Sequence, residues 1–113
     1  MSNGVISRSD DYAVRPNTPV TLTIVIGEEQ SGDTEVRQGG KTLGSGKITN
    51  LTIDDKTKSI MCTTTVKRIN PATKHTSVTY QLRGGVQDRD YIYEADVDQM
   101  GERAIYKASF VFA

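Results

Sequence analysis

Apolar residues recur at every second position through most of the chain. Between residues 18 and 27, Val20, Leu22, Ile24 and Ile26 alternate with Thr21, Thr23 and Val25, the period of a strand with one buried face. The same period returns at 59–69, at 75–83, at 90–97 with Tyr91, Tyr93 and Ala95, and at 102–112 with Ala104, Tyr106, Ala108, Phe110 and Phe112. No window repeats at the 3.6-residue helical period, so strands are expected throughout.

Glycine and proline punctuation suggests how these strands connect. Gly39-Gly40 lies between 34–38 and 41–44, the spacing of a two-residue type I′ hairpin closed by Gln38 and Lys41 with Val36 opposite Leu43. Gly44-Ser45-Gly46 reads as a bend or bulge before a strand at 47–53. Residues 59–69 and 75–83 flank Asn70-Pro71-Ala72-Thr73-Lys74 and are expected to pair as a hairpin, with Val66 facing Val78, Thr64 facing Tyr80 and Cys62 facing Leu82. A last hairpin is expected between 90–97 and 102–112 through Asp98-Gln99-Met100-Gly101, placing Tyr93 opposite Tyr106 and Asp96 against Arg103 as a cross-strand ion pair. Residues 1–17 are polar and carry Pro16, so they read as a flexible or partly ordered arm in which Tyr12 and Val14 touch the core. Residues 18–113 form the single β domain.

These elements amount to seven or eight short strands and an all-β fold, an antiparallel β-sandwich, with a small β-barrel as the alternative. Composition agrees. Val, Ile and Thr supply 33 of the 113 residues against 10 from Leu and Ala, the reverse of a helical balance.

Charge narrows the list of partners. Fourteen basic and fourteen acidic residues cancel, which removes the footprint expected of a nucleic-acid binder and disfavours an anionic membrane surface. The longest strictly aliphatic run, Ile24-Val25-Ile26, is far below the roughly 18 residues of a membrane span. Residues 1–11 lack the apolar stretch of a secretory signal, and the single Cys62 cannot form an intramolecular disulfide, so a reducing, cytoplasmic location is expected. Without export, the sequon Asn50-Leu51-Thr52 carries no weight.

Catalytic patterns fail one after another. Cys62 and His75 are the only thiol and imidazole, and the expected hairpin sets them roughly 23 Å apart at about 3.3 Å per residue. Gly44-Ser45-Gly46 lacks the outer glycines of a nucleophile elbow, and Gly40-Lys41-Thr42 has Glu35 where a phosphate loop needs its first glycine. Asp96, Asp98 and Gly101 match three positions of a calcium loop, but Met100 and Lys107 stand where ligands belong. Glu94 and Asp96, on an outward face, lack the desolvation that raises a catalytic acid.

Two functions lead as expectations, with a small enzyme or ligand-carrying barrel as a lesser third reading. The first is a non-catalytic module for protein–protein interaction or self-association, pairing through an edge such as 18–27, which Pro16 and Pro19 protect only at its beginning. The second is a carbohydrate- or ligand-binding module, with Tyr91, Tyr93 and Asp98 as contacts and, if calcium assists, Asp96, Asp98 and Glu102 as ligands. No other cofactor is expected.

Overall fold

The computed structural model describes residues 5–47 and 50–113. Among them, nine strands build two packed sheets: β1 (Val5–Tyr12), β2 (Val20–Ile26), β3 (Ser31–Gln38), β4 (Lys41–Gly46), β5 (Leu51–Ile53), β6 (Ser59–Lys67), β7 (His75–Arg83), β8 (Arg89–Asp96) and β9 (Arg103–Phe112). One sheet has the order β1-β9-β6-β3-β4 and the other β5-β2-β7-β8. The sheets are not closed into a barrel; the fold is an all-β sandwich.

Alternation explains the core. Ile60, Cys62, Thr64 and Val66 of β6 and the even-numbered residues of β9 turn inward to meet Thr76, Val78, Tyr80 and Leu82 of β7, and all of these are buried. Tyrosine and phenylalanine rings fill the space between the layers edge-on, with Tyr80 5.2 Å from Tyr93 and 5.8 Å from Phe110. Three pairs of hydroxyls in this interior satisfy one another, whereas the buried Tyr93 hydroxyl has no partner among the described residues. Thr34 and Thr64 are 2.8 Å apart, Thr64 meets Tyr80, and Thr76 meets Tyr106 while donating to the Ala95 carbonyl.

Both long hairpins expected from the sequence are corrected by this topology. β6 pairs with β3 and β9, whereas β7 pairs with β2 and β8, so the segment after β6 is an arch that crosses between sheets. β8 and β9 likewise lie in different sheets. Two of the pairs expected to face each other nevertheless meet, because inward side chains of opposed sheets interdigitate across a layer about 10 Å thick. Thr64 touches Tyr80, and Tyr93 stacks edge-on with Tyr106 at 6.2 Å, but through the core and not along a ladder. Asp96 consequently lies beside His75 of β7 and makes no ion pair with Arg103.

Two polar side chains hold the arches in place. Gln30 accepts from the backbone N–H groups of Ile69 and Asn70 and donates to the carbonyls of Thr73 and His75, which satisfies its whole amide although it is buried. Arg68 donates to the carbonyls of Val97 and Asp98 at 3.2 and 2.8 Å and so ties one arch to the other.

Smaller expectations shift as well. The β3–β4 hairpin closes on Gln38 and Lys41, but a bulge leaves Val36 opposite Gly44, with Leu43 as the extra residue. Gly39 has φ +58° and Gly40 does not have a positive φ, so the turn is not type I′, which needs both. The strand expected at 47–53 is shortened to β5, and residues 48 and 49 lie outside the described residues. Part of the expected arm, Val5–Tyr12, is a strand running parallel to β9. Arg8 and Asp10 break its apolar alternation, and its order comes from backbone pairing that no local pattern reports.

Candidate functional site

The sandwich has two flanks, each made of one edge strand from either sheet. On the β1/β8 flank, Arg8 of β1 reaches across the gap, donating to the Ile92 carbonyl at 3.3 Å with its guanidinium 4.8 Å from the centre of the Tyr93 ring. The Tyr91 hydroxyl donates to the Asp11 carbonyl at 3.4 Å, and Asp10 lies 3.7 Å from Arg8. Charges carried inward on an edge strand are a recognised defence against unwanted pairing.

The opposite flank lacks such a bridge among the described residues. β5 covers β2 only over Val20–Leu22, and Thr23 donates to the Asn50 side chain at 2.7 Å just beyond. No described strand pairs with the remainder of β2 on that side. Gly27 donates its N–H to Ser77 of β7, so strand alternation turns the N–H and C=O of Ile24 and Ile26 the other way, toward this flank. A cleft of about 200 Å³ opens between the sheets here, lined among others by Ile24, Ile26, Gln30, Gly32, Thr34 and Lys47. A Cβ added to Gly32 would stand 3.0 Å from Ile26, so glycine is what leaves the Ile26 side chain its place at the rim. β4, with two glycines and a bulge, forms the other lip. Val25 is 44% exposed on the outer face beside the cleft.

The residues singled out for ligand or metal binding are scattered. Tyr93 is buried in the ring cluster, and burial pushes its hydroxyl up to about 12; Tyr91 packs its ring 5.0 Å from Phe110, and burial raises it too. Asp98 is exposed 3.7 Å from Lys74 and accepts from Arg68 through its carbonyl, while Glu102 shares backbone hydrogen bonds with Arg68 and Gln99. Asp96 engages His75 instead of its neighbours in that set. No group of three His, Cys, Asp or Glu residues among the described residues is arranged to hold a metal ion.

His75 lies between two carboxylates at the surface. Its Nδ1 lies 3.0 Å from Asp96 and its Nε2 3.0 Å from Glu94, and these two carboxylates raise its pKa by stabilising the imidazolium. The trio joins the start of β7 to the end of β8. Cys62 stands in the other sheet, fully buried, its thiol pushed up to about 12 by burial, so it is held as an un-ionised apolar group.

Sequence reasoning named 18–27 as a pairing edge but missed the cleft, which depends on where β5 stops. Compared with known proteins, the chain matches no family model, no curated protein and no solved structure.

Proposed function

We propose that this chain is a non-catalytic binding and assembly module that adds a protein strand, from a second copy or from another protein, at the flank formed by β2 and β4. One observation carries this reading: the backbone of Ile24 and Ile26 faces a cleft with no described strand against it, while the opposite flank is bridged by Arg8. Strand addition supplies main-chain hydrogen bonds for affinity, and side chains alternating into the cleft supply selectivity.

Light scattering behind size exclusion, over a range of protein concentrations, tests it together with the variants Val25→Lys and Thr23→Lys. Lysine on an edge opposes strand pairing. Both variants should weaken association about tenfold or more, with Val25→Lys moving the melting temperature by only about 2–3 °C because its side chain is largely exposed. Association unchanged in both would contradict the assignment of this edge.

A further inference from the structure

β1 is joined to the domain in an unusual way. Every ladder partner it has belongs to β9, from Val5 opposite Ile105 to Tyr12 opposite Phe112. Its inward positions are Ile6, Arg8, Asp10 and Tyr12, so two of four are charged, whereas β9 buries Ala104, Tyr106, Ala108, Phe110 and Phe112. The receiving strand is thus fully built, while the inserted strand is held by its ladder to β9, by the bridges of Arg8 and Asp11 to β8, and at its end. There Tyr12 is buried, its hydroxyl accepts from Gly85 N–H at 3.1 Å, and Ala13 and Val14 bond to Val86 and Ala113.

The connection to β2 contains Arg15-Pro16-Asn17-Thr18-Pro19. Proline biases the residue before it, here Arg15 and Thr18, toward extended backbone. Within the turn at residues 16 and 17, Asn17 sits in the left-handed region at φ +57°, which asparagine tolerates better than most non-glycine residues. An extended backbone at this one residue would carry residues 5–14 away from their own domain. The vacated β9 edge would then present unpaired backbone over eight positions, which a copy of the same strand fits residue for residue.

We propose that residues 5–14 are an exchangeable arm, taken up in trans by β9 of a second copy, with Asn17 as the hinge. The occupant is identified by the pairing within the chain itself. This exchange uses the flank opposite the cleft and stands or falls separately from strand addition at β2.

The test mixes two otherwise native proteins, one carrying Ser7→Cys and the other Lys107→Cys, substitutions at exposed positions that are partners in the β1–β9 register. After incubation and mild oxidation, a disulfide between Cys at 7 and Cys at 107 of different chains, located by peptide mapping, is the expected product, and its yield should rise with concentration. Asn17→Val, which disfavours the left-handed hinge, should raise that yield several-fold, and Asn17→Gly should lower it. Absence of the mixed disulfide at every concentration would overturn exchange, and a yield indifferent to both hinge variants would overturn the role of Asn17. A third protein carrying both substitutions should give the intrachain disulfide when dilute, which verifies the register independently of exchange.

Discussion

The two flanks differ less in shape than in how their polar groups are used. On the β1/β8 side, a cation and two tyrosines are spent on bridging the sheets, and the inward charges of Arg8 and Asp10 make the edge a poor template for another chain. On the β2/β4 side, the gap is lined by Ile24, Ile26, Gly32 and Lys47 together with Gln30, Ser31 and Thr34, and among the described residues the covering strand makes three pairs. The contrast makes the two flanks of an all-β domain with zero net charge chemically unlike.

The bridged flank should be the one that breaks the fold. Gly85→Ala has the largest expected effect, because a Cβ there would lie 2.4 Å from the Ala13 carbonyl and 2.6 Å from the Tyr12 ring. Forcing these apart costs about 3 kcal/mol, or a fall of about 12 °C in the melting temperature, readable by calorimetry. Tyr12→Phe removes the acceptor of the Gly85 N–H and should cost about 1–2 kcal/mol in denaturant titrations. Arg8→Ala should cost about 1 kcal/mol and, more tellingly, speed amide exchange in β1 and β8 while leaving β2 unchanged. Ile92→Lys, at a residue 56% exposed on the bridged flank, should leave association intact where Val25→Lys reduces it.

The smallest effect concerns pH. The fold raises the pKa of His75, since both ring nitrogens can donate to Asp96 and Glu94 only when the ring is charged. Its contribution is therefore complete below the unfolded value of about 6.5 and is lost as pH rises through the higher folded value. For a partly exposed trio this amounts to a fall of about 1–3 °C between pH 6 and pH 8 relative to His75→Gln, measured by melting both proteins at each pH.

Alternation in the sequence identified which residues face inward, and it did so correctly for β2, β6, β7, β8 and β9. It carried no information on which strand lies beside which. Thr64 meets Tyr80 and Tyr93 meets Tyr106, as the expected hairpins required, yet each pair spans the core, because inward residues meet whether their strands are 4.8 Å apart in one sheet or about 10 Å apart in two. What decides for arches is the pair Gln30 and Arg68, polar residues in turns that resemble ordinary solvent-facing ones until their backbone partners are known. β1 escaped notice for a related reason: its inward Arg8 and Asp10 erase the very period that reveals a strand. The candidate site was half legible, since 18–27 stood out as an apolar strand with prolines only at its beginning. Its open portion is set by the length of β5, a nonlocal fact.

Amide hydrogen exchange at single-residue resolution in β2 tests the central claim most directly. In dilute protein, Ile24 and Ile26, whose N–H groups turn toward the cleft, should exchange about a hundredfold faster than Thr23 and Val25, whose N–H groups turn toward β7, and should become protected once a partner strand or a second copy binds. Equal protection of all four amides in the dilute, unbound protein would contradict the existence of an open edge and the assembly role built on it.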